Sequence, residues 1–325
     1  MASHDPATVS VDQPTGRGPV LVTGAAGFAG GHLLERLAGR HELVAWSRSA
    51  STGTLAAIAT WQQVDLLDRD RVRALTRALQ PSAVFHLAGV TQVSDSFADT
   101  SKPLAGNVLA THHLFDALRR AGASCRILLT SSATVYDSSD LPLTEDSPLG
   151  PASPYAVSKL AQEQLGRRAI AEDGLQVVVA RAFNHTGPRQ TASYMAPAVA
   201  RQIALIERAA QEPIIRIGNT TPRRDLSDVR DVVRAYEALM QMGTPGVVYN
   251  VASGIGHAVG DILNALISRS RAPLRTEVDP GRQRPNDVSV LVGDPARLRA
   301  ATGWQPEISF DHMIDDLLEY WRGAV

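Results

Sequence analysis

The chain has one cysteine, Cys125, so an internal disulfide is impossible and a cysteine-built metal site is implausible. Cys125 precedes the apolar run Ile127-Leu128-Leu129, where a packed, inert thiol fits. No stretch reaches the ~18 apolar residues of a membrane span, so no membrane partner is expected. The formal net charge is only -1, which advertises neither nucleic acid nor an anionic surface as a partner. Lysine is scarce and arginine supplies most of the positive charge. His112 and His113 sit in a helical pattern with no third ligand nearby, so no metal is expected. The first 17 residues are polar and hold no apolar segment of signal-peptide type. They read as a disordered tail, with a cytoplasmic location by default.

What is present is ordinary for a globular protein: 44% hydrophobic and 20% charged residues in a chain of 325. That length allows one large domain or two modest ones. From Pro19 the chain alternates short apolar runs with helix-like segments. The runs are Pro19–Val22, Glu42–Trp46, a third ending near Val64-Asp65-Leu66, Ala83–Leu87, Arg126–Thr130 and Gln176–Ala180. Between them lie helical patterns, among them Arg71–Leu79, Asn107–Ala121 and Pro154–Ala171. This alternation predicts an α/β fold with a Rossmann-type, doubly wound parallel sheet over residues 18–180. Residues 181–325 are less regular and predict a smaller, mainly substrate-binding lobe, with the chain crossing back to the first unit.

Gly24, Gly27 and Gly30 fall between the first strand and the first helix. In such a turn one glycine allows the bend, one lets backbone approach a pyrophosphate, and one permits close packing. The free N–H groups that follow, on Phe28 and Ala29, favour an anion. The second strand ends in Ser47-Arg48, with no acidic residue to hold a ribose 2′-hydroxyl. Ser47 and the Arg48 fork suit a 2′-phosphate, so NADP(H) is preferred and NAD(H) remains possible. Asp65, followed by Leu66, is placed to accept from an adenine amine or to cap a turn.

Tyr155 and Lys159 lie four residues apart on one helix face. An ammonium beside a phenol favours the phenolate, which predicts a tyrosine tuned for proton transfer. Upstream, Thr130-Ser131-Ser132 ends a buried strand and presents hydroxyls at the edge where open α/β sheets bind ligands.

Together the glycine turn, His86-Leu87-Ala88-Gly89, Asn107-Val108, Ser132, Tyr155 and Lys159 resemble the extended short-chain dehydrogenase/reductase family from about Pro19 to Trp321. The resemblance implies Ser132, Tyr155 and Lys159 as catalytic residues. It places Leu87, Ala88, Gly89 and Asn107 along the cofactor path. Arg181-Ala182-Phe183-Asn184 looks like the family's Arg-Pro-x-Asn segment, with Ala182 replacing the proline. Asn184, Arg224 and Arg284 match positions near a nucleotide diphosphate, and His185 lies beside them. Phe183-Asn184-His185-Thr186-Gly187-Pro188 and Val248–Gly254 are similar to members that reduce GDP-linked 4-keto-6-deoxyhexoses. Arg189 departs from that pattern, which has glycine there. The implied partners are a nucleotide-diphosphate sugar, GDP-linked, and a second copy in a homodimer through the helices at Asn107–Ala121 and Pro154–Ala171.

Three reactions share this machinery. A 4,6-dehydratase of this family carries acidic residues after the catalytic hydroxyl, and here those positions are Ala133 and Thr134. A 4-epimerase keeps NAD bound, and the Ser132–Tyr136 stretch suits one. A reductase needs exchangeable reduced cofactor, which the acid-free Ser47-Arg48 end suits. A non-catalytic nucleotide-binding regulator on the same fold is the reading from another class; the intact Ser132, Tyr155 and Lys159 argue against it.

Overall fold

The computed structural model describes residues 18–49, 53–282 and 288–325; the tail expected at 1–17 lies outside the described residues. The first half runs β1 (Val20–Thr23), α1 (Phe28–Leu37), β2 (Leu43–Ser47), β3 (Thr60–Gln63), α2 (Arg69–Leu79), β4 (Ala83–His86), α3 (Val93–Ala98), α4 (Ser101–Pro103), α5 (Ala110–Arg120), β5 (Arg126–Ser132), α6 (Pro154–Asp173) and β6 (Gln176–Ala182). A π-helical turn, Leu104–Leu109, joins α4 to α5. The second half runs β7 (Asn184–Thr186), α7 (Met195–Glu207), β8 (Ile214–Ile217), β9 (Arg223–Asp228), α8 (Val229–Met242), β10 (Val248–Val251), β11 (Gly256–Ala258), α9 (Val259–Ile267), β12 (Arg275–Val278), β13 (Val290–Leu291), α10 (Ala296–Thr302) and α11 (Phe310–Ala324).

Strands β1, β2, β4 and β5 are buried along their whole length. A strand covered on both faces gains nothing from alternation, so it appears in sequence as an apolar run. These strands form a seven-stranded parallel sheet in the order β10-β6-β5-β4-β1-β2-β3. Leu33, Leu34 and Leu37 of α1 pack with Val232, Tyr236 and Leu239 of α8 on one face. Leu114, Phe115 and Leu118 of α5 pack with Val72 of α2 and Ala169 of α6 on the other. Full burial of a leucine is worth about 1.5–3 kcal/mol. The sheet is therefore held from both sides.

The last sheet strand does not come from the first half. After β7 to β9 the chain returns through α8, which lies on α1, and adds β10 beside β6 in the register Val248↔Val179 to Val251↔Ala182. The rest of the second half has its own core, with Ile203, Ile262, Leu266, Ile314 and Leu317 between α7, α9 and α11. Beside it β11-β9-β13 form a small sheet, with β7 also paired to β9, and β8 pairs β12.

β5 and β6 both run further than their apolar stretches. Ser131 pairs with Arg181 and Ser132 with Ala182, so the ladder continues through polar residues to the C-terminal edge of the sheet. α6 starts where its signals say it should. The Ser153 hydroxyl accepts from the Ala156 N–H at 3.1 Å and Pro154 occupies the first turn. Gly174, with φ 69°, closes the other end.

Candidate active site

The turn between β1 and α1 leaves no room for side chains. Gly24 has φ 69°, and a Cβ there would lie 2.6 Å from the Ala88 nitrogen. A Cβ on Gly30 would lie 2.3 Å from the Gly24 carbonyl oxygen. Gly27 caps α1 with no side-chain hydrogen bond, so the N–H groups of the first turn stay open to an anion. Phe28 and Ala29 of that turn are half-buried. The cradle fits a dinucleotide pyrophosphate.

At the end of β2 no carboxylate is present. Ser47 is buried and donates to the Ser49 carbonyl, while Arg48 is exposed. Asp65 caps its own turn through the Leu67 N–H at 2.9 Å, which leaves its second oxygen for a ligand. Leu66 is buried, and its carbonyl accepts from His113 Nδ1 at 2.9 Å. His113 thus braces this loop.

At the end of β4, Leu87 and Ala88 lie beside the glycine turn, and the Ala88 N–H donates to Thr23 Oγ1 at 3.3 Å. A Cβ on Gly89 would lie 2.5 Å from Asn107 Oδ1 and 3.8 Å from Lys159 Nζ, so both groups converge there. Asn107 is fully buried in the π-helical turn. Its Oδ1 accepts from the Val90 N–H at 2.7 Å and its Nδ2 donates to Ser158 Oγ at 2.8 Å. Single π-turns of this kind often mark functional sites.

Ser132, Tyr155 and Lys159 meet where β5 ends against α6. Lys159 Nζ is buried and donates to the Thr130 carbonyl at 3.0 Å. Burial lowers the Lys159 pKa to about 8, with Glu163 opposing. Burial pushes the Tyr155 phenol up to about 12, opposed by its hydrogen bond with Ser132. The sequence predicted the reverse, a phenol brought down by Lys159. In the fold, loss of solvent is the largest influence on the phenol. Tyr155 therefore stays protonated at neutral pH. Ser132 Oγ also contacts Thr134 Oγ1 at 3.0 Å, and no carboxylate sits at Ala133 or Thr134.

Asn184 and Arg224 are brought together by the small sheet. Asn184 pairs with Leu226, two residues from Arg224 on the same face of β9. Asn184 is exposed and Arg224 half-buried, with its Nη1 donating to the Arg223 carbonyl at 2.9 Å. Arg284 lies outside the described residues. His185 is half-buried and stacks on Phe28, with ring centroids 5.9 Å apart at 6°. Its Nδ1–H donates to the Phe183 carbonyl at 3.0 Å, and burial lowers its pKa. Arg189, the departure from glycine, has φ 75° and forks onto Glu35 of α1 at 2.7 and 2.6 Å. It is turned toward the cofactor-side helix.

Two features behind the site had no signal in the sequence pattern. The Arg181 guanidinium, 2% exposed, forks onto Glu163, 1% exposed, at 2.9 and 2.8 Å. Ser131 Oγ completes that carboxylate at 2.5 Å. A buried hydrogen-bonded chain also runs from the catalytic helix to the glycine turn. Gln162 Nε2 donates to Thr111 Oγ1 at 2.6 Å, which meets His86 Nε2 at 2.8 Å, and His86 Nδ1 meets Thr23 Oγ1 at 2.7 Å. The neutral ring can donate to one of these hydroxyls and accept from the other. Burial, reinforced by the Lys159 charge, lowers the His86 pKa to about 3.

A family model described as GDP-mannose 4,6 dehydratase matches residues 21–317. The chain is 37% identical to GDP-6-deoxy-D-mannose reductase of Pseudomonas aeruginosa, over 94% of this chain and 98% of that protein. It is 30% identical to UDP-glucose 4-epimerase of Bacillus subtilis, over 93% of this chain and 96% of that protein. Among solved structures, RMD from Pseudomonas aeruginosa complexed with NADPH matches with a TM-score of 0.84 and 35% identity, covering 94% of this chain and 100% of that one. UDP-glucose 4-epimerase of Thermus thermophilus in complex with NAD matches with a TM-score of 0.83 and 29% identity, covering 94% of this chain and 99% of that one.

Proposed function

The chain belongs to the GDP-mannose 4,6-dehydratase family of extended short-chain dehydrogenases/reductases, and from that premise we propose that it reduces the C4 ketone of a GDP-linked 4-keto-6-deoxyhexose, using NADPH in preference to NADH. The observation that carries the reading is Tyr155, buried beside Ser132 where β5 ends against α6, at the end of a sheet whose β2 carries no carboxylate. A ketone reduction consumes a proton at the carbonyl oxygen, and a phenol is the form that supplies one. Similarity to GDP-6-deoxy-D-mannose reductase over nearly the whole chain supports the same reaction.

Gly24, Gly27, Phe28 and Ala29 would hold the pyrophosphate, Asp65 and Leu66 the adenine, and Arg48 the 2′-phosphate, with Ser47 shaping the strand end. Leu87, Ala88, Gly89 and Asn107 would line the path to the nicotinamide. When bound, the reduced nicotinamide supplies hydride to C4. Ser132 donates a hydrogen bond to the carbonyl oxygen as negative charge develops there. Tyr155 delivers its proton to that oxygen. Lys159, fixed on the Thr130 carbonyl, orients the ribose and stabilises the phenolate left behind. Asn184, Arg224 and Arg284 bind the diphosphate, where guanidinium forks match phosphate oxygens.

The second reading is a 4-epimerase, favoured by the 30% identity to UDP-glucose 4-epimerase. Dehydration ranks below both, because it needs a further acid–base group and Ser132 is followed by Ala133 and Thr134. Exposed Leu104 and Leu109 before α5 and Val157 on α6 support a homodimer through these helices. No helix among the described residues is long and apolar enough to cross a membrane. The cytoplasm, where reduced dinucleotide is regenerated, is the compartment this reading entails.

The test is NADPH consumption with GDP-4-keto-6-deoxy-D-mannose, together with release of any bound cofactor by denaturation. Stoichiometric oxidation of added NADPH is expected. Tightly held NAD that survives purification, with UDP-sugar interconversion and no NADPH consumption, would replace this reading with the epimerase.

A further inference from the structure

The loop from Phe183 to Gln190 carries Asn184 at one end and leans on the cofactor helix at the other. It is a closed unit. Thr186 Oγ1 donates to Gln190 Oε1 at 2.6 Å, and Gln190 Nε2 donates back to the His185 carbonyl at 3.0 Å. One face of α1 receives it, because Phe28, His32 and Glu35 are four and then three residues apart. Phe28 stacks on His185, His32 Nε2–H donates to the Pro188 carbonyl at 3.0 Å, and Glu35 takes both Arg189 nitrogens. Phe28 stands in the turn whose N–H groups face the pyrophosphate site.

Stability alone does not account for Arg189. Its φ of 75° lies in the left-handed region, which penalises every residue with a Cβ. The pair it makes is partly open to solvent, with Arg189 33% and Glu35 43% exposed, and such pairs contribute little net stability. The cost and the gain are of similar size, so glycine would serve the fold at least as well. What the fork adds is geometry: two parallel hydrogen bonds fix the direction in which the loop meets α1.

We infer that Arg189 is a positioning residue whose ion pair with Glu35 couples binding of the nucleotide diphosphate at Asn184 to binding of the dinucleotide on α1. The inference rests on the function proposed above. A bound dinucleotide orders the first turn of α1. That turn holds His185 through Phe28, and Glu35 holds the far end of the same loop. Asn184 is thereby set for the second ligand, and by reciprocity the second ligand tightens the first.

The experiment measures NADPH affinity by calorimetry, with and without saturating GDP, in wild type, R189G and the swap E35R/R189E. R189G relieves the left-handed strain, so its fold is retained, and thermal unfolding checks this. GDP is expected to tighten NADPH at least about fivefold in wild type, the lower end of typical coupling. The effect falls to within about twofold of unity in R189G and returns in the swap, where the pair is rebuilt with reversed charge. Full coupling in R189G, or none restored by the swap, overturns the inference. So does a wild type that binds both ligands independently, and in that case the proposed function stands. A wild type that binds neither NADPH nor GDP overturns the proposed function, and this inference falls with it.

Discussion

His86 gives this protein an acid-labile joint whose strength can be worked out. Its two ring nitrogens each meet a threonine hydroxyl, Thr111 at 2.8 Å and Thr23 at 2.7 Å, and the neutral imidazole serves one as donor and the other as acceptor. Its pKa is lowered to about 3 in the fold against an ordinary value of 6.5. Because the folded value lies below the unfolded one, the unfolded chain binds the extra proton first. Stability is complete above 6.5 and is lost progressively as pH falls from 6.5 toward 3. The slope is about 1.4 kcal/mol per pH unit, so about two units below the ordinary histidine value the loss is roughly 2.7 kcal/mol from this one side chain. Urea unfolding, followed by tryptophan fluorescence at intervals from pH 7 down to 4.5, reads the slope. His32, His185 and His257 are shifted the same way and add to it, so the informative quantity is a difference. His86→Gln has no titrating ring, and its unfolding free energy should fall with a slope shallower than wild type by up to about one proton. Equal slopes in wild type and His86→Gln would refute the buried neutral histidine.

Tyr155→Phe removes the proton donor but leaves the glycine cradle and Lys159 in place. It is expected to lower kcat by about 10²–10⁴-fold, with NADPH affinity changed far less; steady-state rates and a binding titration check both. Arg181→Met leaves the Glu163 carboxylate buried without its partner and should cost about 3–5 kcal/mol, whereas Arg181→Met with Glu163→Leu should recover much of that. Denaturant midpoints compare the two. Arg48→Ala should reduce the preference for NADPH over NADH by about 10–100-fold, corresponding to one hydrogen-bonded charge on the 2′-phosphate. The ratio of the two kcat/KM values measures it.

The parts of this molecule that can be read without a structure are those that repeat a constraint. The apolar runs of β1, β2, β4 and β5 are visible because each strand is covered on both faces. The glycine turn and the spacing of Tyr155 and Lys159 are visible because backbone crowding and the helical period leave few alternatives. Reading fails where tertiary contacts override local pattern. Ser131, Ser132 and Arg181 look like the end of a strand, yet they continue the ladder because Glu163 satisfies two of them. The three-residue strands β7 and β11 carry no period at all. The Tyr155 shift was misjudged because adjacency to Lys159 is written in the sequence and burial is not. The hydrogen-bonded chain through His86 joins four elements, and nothing local to any of them announces it.

The return of the chain to add β10 has a consequence during synthesis. Until Val248–Val251 has left the ribosome, the β6 segment Val177-Val178-Val179-Ala180 has one row of N–H and C=O groups without a strand partner. Its apolar side chains also lack α8 above them until Val229–Met242 has been made. At roughly 5–20 residues per second, that open edge persists for several seconds. A nascent chain in that interval offers a bare parallel edge of high β-propensity, the kind of surface on which chains stick to one another. Premature termination between β6 and β10 therefore leaves an aggregation-prone fragment rather than a smaller folded dinucleotide-binding unit. Slowed translation across β7 to β9 would raise the demand for chaperones on a protein that, once finished, has no such edge at β6.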